Sequence, residues 1–113
     1  MSENALNRYQ KLAFTTAVYP RAGTGNYDYP LKGLVEEVGE IAGHLKRVER
    51  DDASVITTTR LLQIEHEMGD VLWYLAALAT ELGLSLSEIS AENLVKVASR
   101  KERNAIHGEG SER

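Results

Sequence analysis

The sequence has no cysteine among its 113 residues, so neither a disulfide framework nor a thiolate metal site is open to it, and any metal must be held by oxygen or histidine nitrogen. The reducing cytoplasm is the compartment expected from that absence. Long hydrophobic runs are missing too. The longest charge-free apolar stretch, Val71 to Thr80, is about half of what a bilayer crossing needs, and no basic region followed by an apolar one opens the chain. Neither a membrane span nor a secretory leader is therefore expected. Prolines are few, at positions 20 and 30, and neither interrupts a candidate helix. Strict alternation and β-branched clustering are absent apart from the short, ambiguous stretch Val55 to Thr59, so the chain reads as all-helical. A Gly-rich phosphate loop of the Walker type is also missing. Positive charge is not in surplus: 17 acidic against 13 basic residues leave a formal charge of −4, which argues against a nucleic-acid polymer as partner unless the basic residues gather on one face.

What is present suits one folded domain spanning residues 1–113, with 42% apolar and 27% charged residues and a glycine- and charge-rich tail expected to fray from about Gly108. The spacing predicts four helices. The first runs from about Asn4 to Tyr19, with Leu6, Tyr9, Leu12, Ala13 and Ala17 on one face and Pro20 as its stop. A loop bracketed by the two prolines follows. The second helix begins after Pro30 and extends to about Arg50, its apolar positions Leu31, Leu34, Val35, Val38, Ile41, Ala42, Leu45 and Val48 recurring at three and four. The third runs roughly from Ser54 to Leu82, with Gly83 as its stop. The fourth starts near Ser85 or Ser87, where Ser85 and Glu88 form a capping box, and reaches about Arg103. Short connections make a four-helix bundle the expected architecture.

Acidic residues recur on two of these helices in the same arrangement. Glu36-Glu37-Val38-Gly39-Glu40 places Glu37 on the border of the apolar stripe beside Ile41 and Val48, with Glu40 one step further round. Glu67-Met68-Gly69-Asp70 repeats the pattern, with Glu67 beside Val71 and Leu78. Side chains at i and i+3 project from adjacent turns, so each pair can converge on one cation. If the two helices pack antiparallel through their apolar seams, four carboxylates approach one another, and the repulsion and desolvation call for neutralising cations. Hard, oxygen-seeking divalent ions fit; Mg²⁺ leads because it takes carboxylates and bridges to phosphates, with Mn²⁺ as a substitute, and no Glu-x-x-His pattern supports an iron site. Gly39 and Gly69 each cost a helix about 1 kcal/mol relative to alanine, which points to close helix approach at both. His44 falls on the same side as Glu37 and Glu40 and reads as an exposed histidine rather than a ligand. On the fourth helix Asn93, Lys96, Arg100 and Arg103 align at spacings of three, four and three. Arg100 and Arg103 also complement the helix C-terminus. Asn93 and Lys96 lie near the inward stripe, placed to meet an anion, and a row of cations facing an acidic metal site suits a bridging polyphosphate.

Taken in order, Gly33 to Ala42, Glu67 to Leu75 and Glu92 to Arg100 resemble the EExxE, ExxD and lysine-bearing segments of the MazG-like, all-α nucleoside triphosphate pyrophosphohydrolases, a resemblance that covers about Leu31 to Gly108. It implies a four-helix core that oligomerises as a homodimer or homotetramer, Mg²⁺ dependence, and hydrolysis of a nucleoside triphosphate to monophosphate and pyrophosphate. By position it implies Glu37, Glu40, Glu67 and Asp70 as metal ligands and Asn93, Lys96, Arg100 and Arg103 as nucleotide contacts. Glu36 or Glu40, if not fully used as a ligand, is the candidate to take the proton from the attacking water. Phosphoribosyl-ATP pyrophosphohydrolase shares the fold and a similar acidic arrangement and stands as the enzymatic alternative. The alternative outside catalysis is a helical module that binds nucleotide or protein. Self-association is expected from surplus apolar surface on the third helix, where Leu62, Trp73 and Ala76 lie off the main stripe, and Trp73 is expected at an interface rather than at the metal pocket.

Overall fold

The computed structural model describes residues 4–103, and the tail expected to fray from about residue 108 lies outside them. It is all-α: α1 (Ala5–Phe14), α2 (Asp28–Asp51), α3 (Thr58–Glu81) and α4 (Leu86–Glu102), with no strand among the described residues. The ends are set by local chemistry. The Asn4 side chain caps α1 by accepting from Asn7 N–H at 2.9 Å, Thr57 caps α3 by accepting from Arg60 N–H at 3.1 Å, and Ser85 caps α4 by accepting from Glu88 N–H at 3.3 Å. Gly83 ends α3 in the left-handed region (φ 71°), with Gly83 N–H donating to Thr80 O and Leu84 N–H to Ala79 O, a Schellman closure.

Three boundaries differ from the periodicity. α1 stops at Phe14, five residues before Tyr19, because a run of i→i+3 bonds from Thr15, Thr16 and Ala17 tightens the chain and turns Tyr19 into the core. α2 starts at Asp28, ahead of Pro30, because a proline in the first turn forfeits no helical hydrogen bond. α3 starts at Thr58 rather than near Ser54, and the ambiguous Val55 to Thr59 stretch becomes the approach to its cap.

Most of the packing joins α2 to α3. Their antiparallel register is plain from its rungs: Gly33 lies against Tyr74, and His44 lies beside both Glu67 and Arg60. α1 packs on α3, and α4 on α1. Ala76, Ala79 and Leu86 form a buried cluster against which Tyr9 packs. Gln10 stitches the three elements, its amide donating to Thr80 Oγ1 (3.0 Å) and Leu84 O (2.9 Å) and accepting from Leu86 N–H (2.8 Å). Close helix approach occurs at Gly33, not at Gly39 or Gly69, where an added Cβ would meet nothing within 4 Å. The expected reason for those two glycines is therefore corrected: both point away from the seam between α2 and α3.

A broad apolar face stays open. On α2, Leu31, Val35, Val38 and Leu45 are exposed, Val35 at 64%; on α3, Leu61, Met68, Leu72 and Leu75 are exposed, Met68 at 59%. At about 100° per residue these positions lie roughly a quarter-turn round from the seam on each helix, and because antiparallel helices reverse the sense of rotation they share one side of the hairpin. Glu36, Glu40 and Asp70 turn to the other. Among the described residues no helix is long and apolar enough to cross a membrane.

Candidate active site

Pairing α2 with α3 brings Glu37, Glu67 and Asp70 together, with one carboxylate oxygen from each lying within 4.8 Å of the others. Glu37 and Glu67 are half-buried and Asp70 is exposed, so the trio opens outward. Hydrogen bonding to Glu67 first, then burial, then the charges of Glu67, Asp70 and Glu36, push the Glu37 carboxyl from the ordinary 4.5 up to about 7. The donor set is oxygen only. In octahedral Mg²⁺ coordination ligand oxygens sit about 2.9 Å apart when adjacent and about 4.2 Å when opposite, so side-chain rotation that draws the three carboxylates closer would let them share one such ion. Glu36 and Glu40 are exposed on the same side of α2 and lie outside the trio.

His44 is not the exposed histidine expected. Its side chain is 12% exposed, its Nε2 lies 3.8 Å from Glu67 Oε1, and its Nδ1 accepts from Arg60 at 3.2 Å. With Nδ1 accepting, the ring proton sits on Nε2 and faces Glu67, the kind of outer contact that orients a ligand carboxylate. Arg60 is itself held by Asp52 Oδ2 at 3.4 Å.

The wall beside the acids is aromatic. Thr16, Glu37, Asp70, Trp73 and Tyr74 line a recess of about 360 Å³, and Tyr29, Lys32, Gly33, Glu36 and Tyr74 a second of about 200 Å³. Tyr74 separates the two, seated on Gly33 and edge-on to Trp73 at 5.1 Å and 88°. Burial first, then the charges of Tyr29, Glu37, Glu36 and Asp70, raise its phenol above the ordinary value and keep it protonated. Trp73, expected at an interface, instead packs toward α1 and donates from Nε1 to Thr16 Oγ1 at 2.9 Å. On the isolated helix Trp73 lies well round from Glu67, but Thr16, from the segment after α1, lines one recess with Trp73, Glu37 and Asp70. Tyr74 and Thr16 carried no sequence signal apart from Tyr74 lying next to Trp73 in the ExxD segment.

The basic face of α4 is not gathered with the acids within one chain. Asn93 and Lys96 are exposed rather than inward, and Lys96 lines a separate recess with Ala91, Glu92, Val95 and Ser99. The reason is that α4 docks on α1 through its first turn, at Leu86, and leaves Leu94 and Val95 exposed beyond it. Arg100 is buried, and Arg103 Nε donates to Ser99 Oγ at 3.1 Å.

An all-α chain whose antiparallel pair presents Glu37 opposite Glu67 and Asp70 has an oxygen-donor group that could hold a metal ion. Residues 27–104 match the MazG nucleotide pyrophosphohydrolase domain, and the chain belongs to that family. It is 43% identical over 109 residues to the Gene 37 protein of Mycobacterium phage L5, a match that covers 93% of this chain and 96% of that protein. No solved structure matches.

Proposed function

We propose that the chain hydrolyses a nucleoside triphosphate to monophosphate and pyrophosphate, water adding at the α-phosphorus as the bond to the bridging oxygen breaks, with Mg²⁺, or Mn²⁺ in its place, as the required cation. The convergence of Glu37, Glu67 and Asp70 carries this reading, in a chain of the MazG family. Held there, the cation supplies Lewis-acid polarisation of the phosphoryl group. Glu40, one turn along from Glu37, joins the ligands by a change of rotamer. Glu36 or Glu40, both exposed and outside the trio, takes the proton from the attacking water. The Tyr74 hydroxyl, kept protonated on a ring that lines the recess with Glu37 and Asp70, offers a donor to the phosphates.

In this reading Asn93, Lys96, Arg100 and Arg103 serve the phosphates and sugar. Because α4 lies on α1 rather than beside the acids, a second copy is what brings such a row across. The open apolar face of α2 and α3 supports self-association as dimer or tetramer. The whole chain acts as one domain, in the cytoplasm. The test is a panel of ribo- and deoxynucleotides, with phosphoribosyl-ATP included, incubated with Mg²⁺ and scored for monophosphate and pyrophosphate. Turnover lost in Glu67→Gln and Asp70→Asn, with helical circular dichroism retained, is the expected result. Nucleotide bound without turnover would favour the non-catalytic module, and near-full activity in both variants would remove the acids from the site.

A further inference from the structure

One wall of the acidic recess is tied to a carboxylate that the proposed reaction does not use. Glu81, the last residue of α3, accepts at Oε2 from the Tyr19 hydroxyl and from Gly23 N–H at 2.9 Å, and at Oε1 from Gly25 N–H at 2.9 Å and Asn26 N–H at 3.1 Å. All four donors come from one loop. Arg21, Gly23 and Gly25 adopt left-handed φ of 55°, 82° and 85°, which turns successive N–H groups inward into a concavity of the kind that holds anions. Asn26 Nδ2 donates to Pro20 O at 2.7 Å and closes the neck. The loop is folded round an internal anion, and without it these inward donors would lose their shared acceptor. Burial raises the Glu81 carboxyl, yet the bonds from Tyr19, Gly23, Gly25 and Asn26 outweigh it and hold the group below its ordinary range.

From the clamp, contacts lead to the recess. The buried Tyr19 ring stacks on Tyr29 at 5.0 Å and 6° and meets Trp73 edge-on at 6.2 Å and 87°. Trp73 is held by Thr16, and both line the recess with Glu37 and Asp70. We propose that Glu81 is a positioning residue: by folding the loop round its carboxylate it fixes Tyr19, and through Tyr19 the Thr16–Trp73 wall against which the nucleotide is held. Only the kinetic part of this inference rests on the pyrophosphohydrolase reading; the placing of the wall does not.

Trp73 is the single tryptophan of the chain, so its fluorescence reports the wall directly. Glu81→Gln keeps the shape but turns one acceptor into a donor facing donors. In the ligand-free protein it should shift Trp73 emission to the red and increase acrylamide quenching, with helical circular dichroism unchanged. With the nucleotide that the wild type turns over, KM should rise about tenfold with kcat within about threefold. Tyr19→Phe keeps the ring contact and loses one donor, so it should show a smaller form of the same changes, and it carries the test if Glu81→Gln does not fold. Formate added to Glu81→Ala should restore the wild-type emission by refilling the cradle. Emission and quenching unchanged in these variants, or kcat lost with KM unchanged, would overturn the proposal. A wild type that turns over no nucleotide while these spectral shifts still appear would sink the pyrophosphohydrolase reading and leave the clamp standing.

Discussion

Replacing Gly33 by alanine tests how closely α2 and α3 meet beside the acids. A Cβ built on Gly33 falls 2.2 Å from Tyr74 Cε1, 2.4 Å from Cζ and 2.6 Å from Cδ1, where carbon atoms in ordinary contact keep about 3.5 to 4.0 Å. The ring would have to retreat by about 1 Å or more, and Trp73 stands edge-on against it at 5.1 Å. Overpacking of this kind costs about 1–3 kcal/mol, offset by about 1 kcal/mol gained when alanine replaces glycine in a helix. The net expectation is a loss of up to about 2 kcal/mol, and each kcal/mol moves Tm by about 4–8 °C in a domain near this size. Gly39→Ala and Gly69→Ala meet nothing within 4 Å and should instead gain about 0.5–1 kcal/mol each. Opposite signs are the test, read from thermal melts at 222 nm and one protein concentration. In a double-mutant cycle with Tyr74→Ala the penalty at Gly33 should vanish. If Gly33→Ala melts at or above the wild type, Tyr74 does not sit on Gly33 and the description of the recess fails.

The pH dependence of the metal-free protein has a fixed sign. Glu37 keeps its proton when folded up to about pH 7 but has an ordinary value of 4.5, so between those values the native state binds more protons and stability should fall as pH rises. Chelator-treated protein should show that fall and Glu37→Gln should flatten it; a stability that climbs through the window would refute the raised Glu37 carboxyl. Mg²⁺ must displace the proton, so the stabilisation it confers should grow over the same window, checked by melts with and without the ion. For self-association, Val35→Lys or Leu72→Glu should reduce the sedimentation coefficient at micromolar protein while leaving the helical content intact, and a wild type that sediments as monomer would end that part of the reading. Lys96→Ala should lower kcat by on the order of 10² if the ammonium meets charge growing in the transition state; wild-type kinetics in that variant would remove the basic face from the site.

The helical class, the stop at Gly83, the cap at Ser85 and the likeness to the MazG family were legible in the sequence, because each rests on local spacing or on a residue's own backbone preference. The i,i+3 acids were legible for the same reason, since their neighbourhood on one helix follows from its pitch. Only the tertiary structure decided which acids meet. Glu37, Glu67 and Asp70 converge while Glu40 stays exposed outside the trio, in a pairing of α2 with α3 where Gly33 admits the Tyr74 ring. Tertiary contacts also placed His44 against Glu67, drew Trp73 from an expected interface into the recess, and left Asn93 and Lys96 away from the acids by docking α4 on α1. Pitch determines the face on which a side chain lies; which face is covered, and by what, depends on contacts between residues such as Thr16 and Trp73 or Tyr19 and Glu81 that lie more than fifty positions apart.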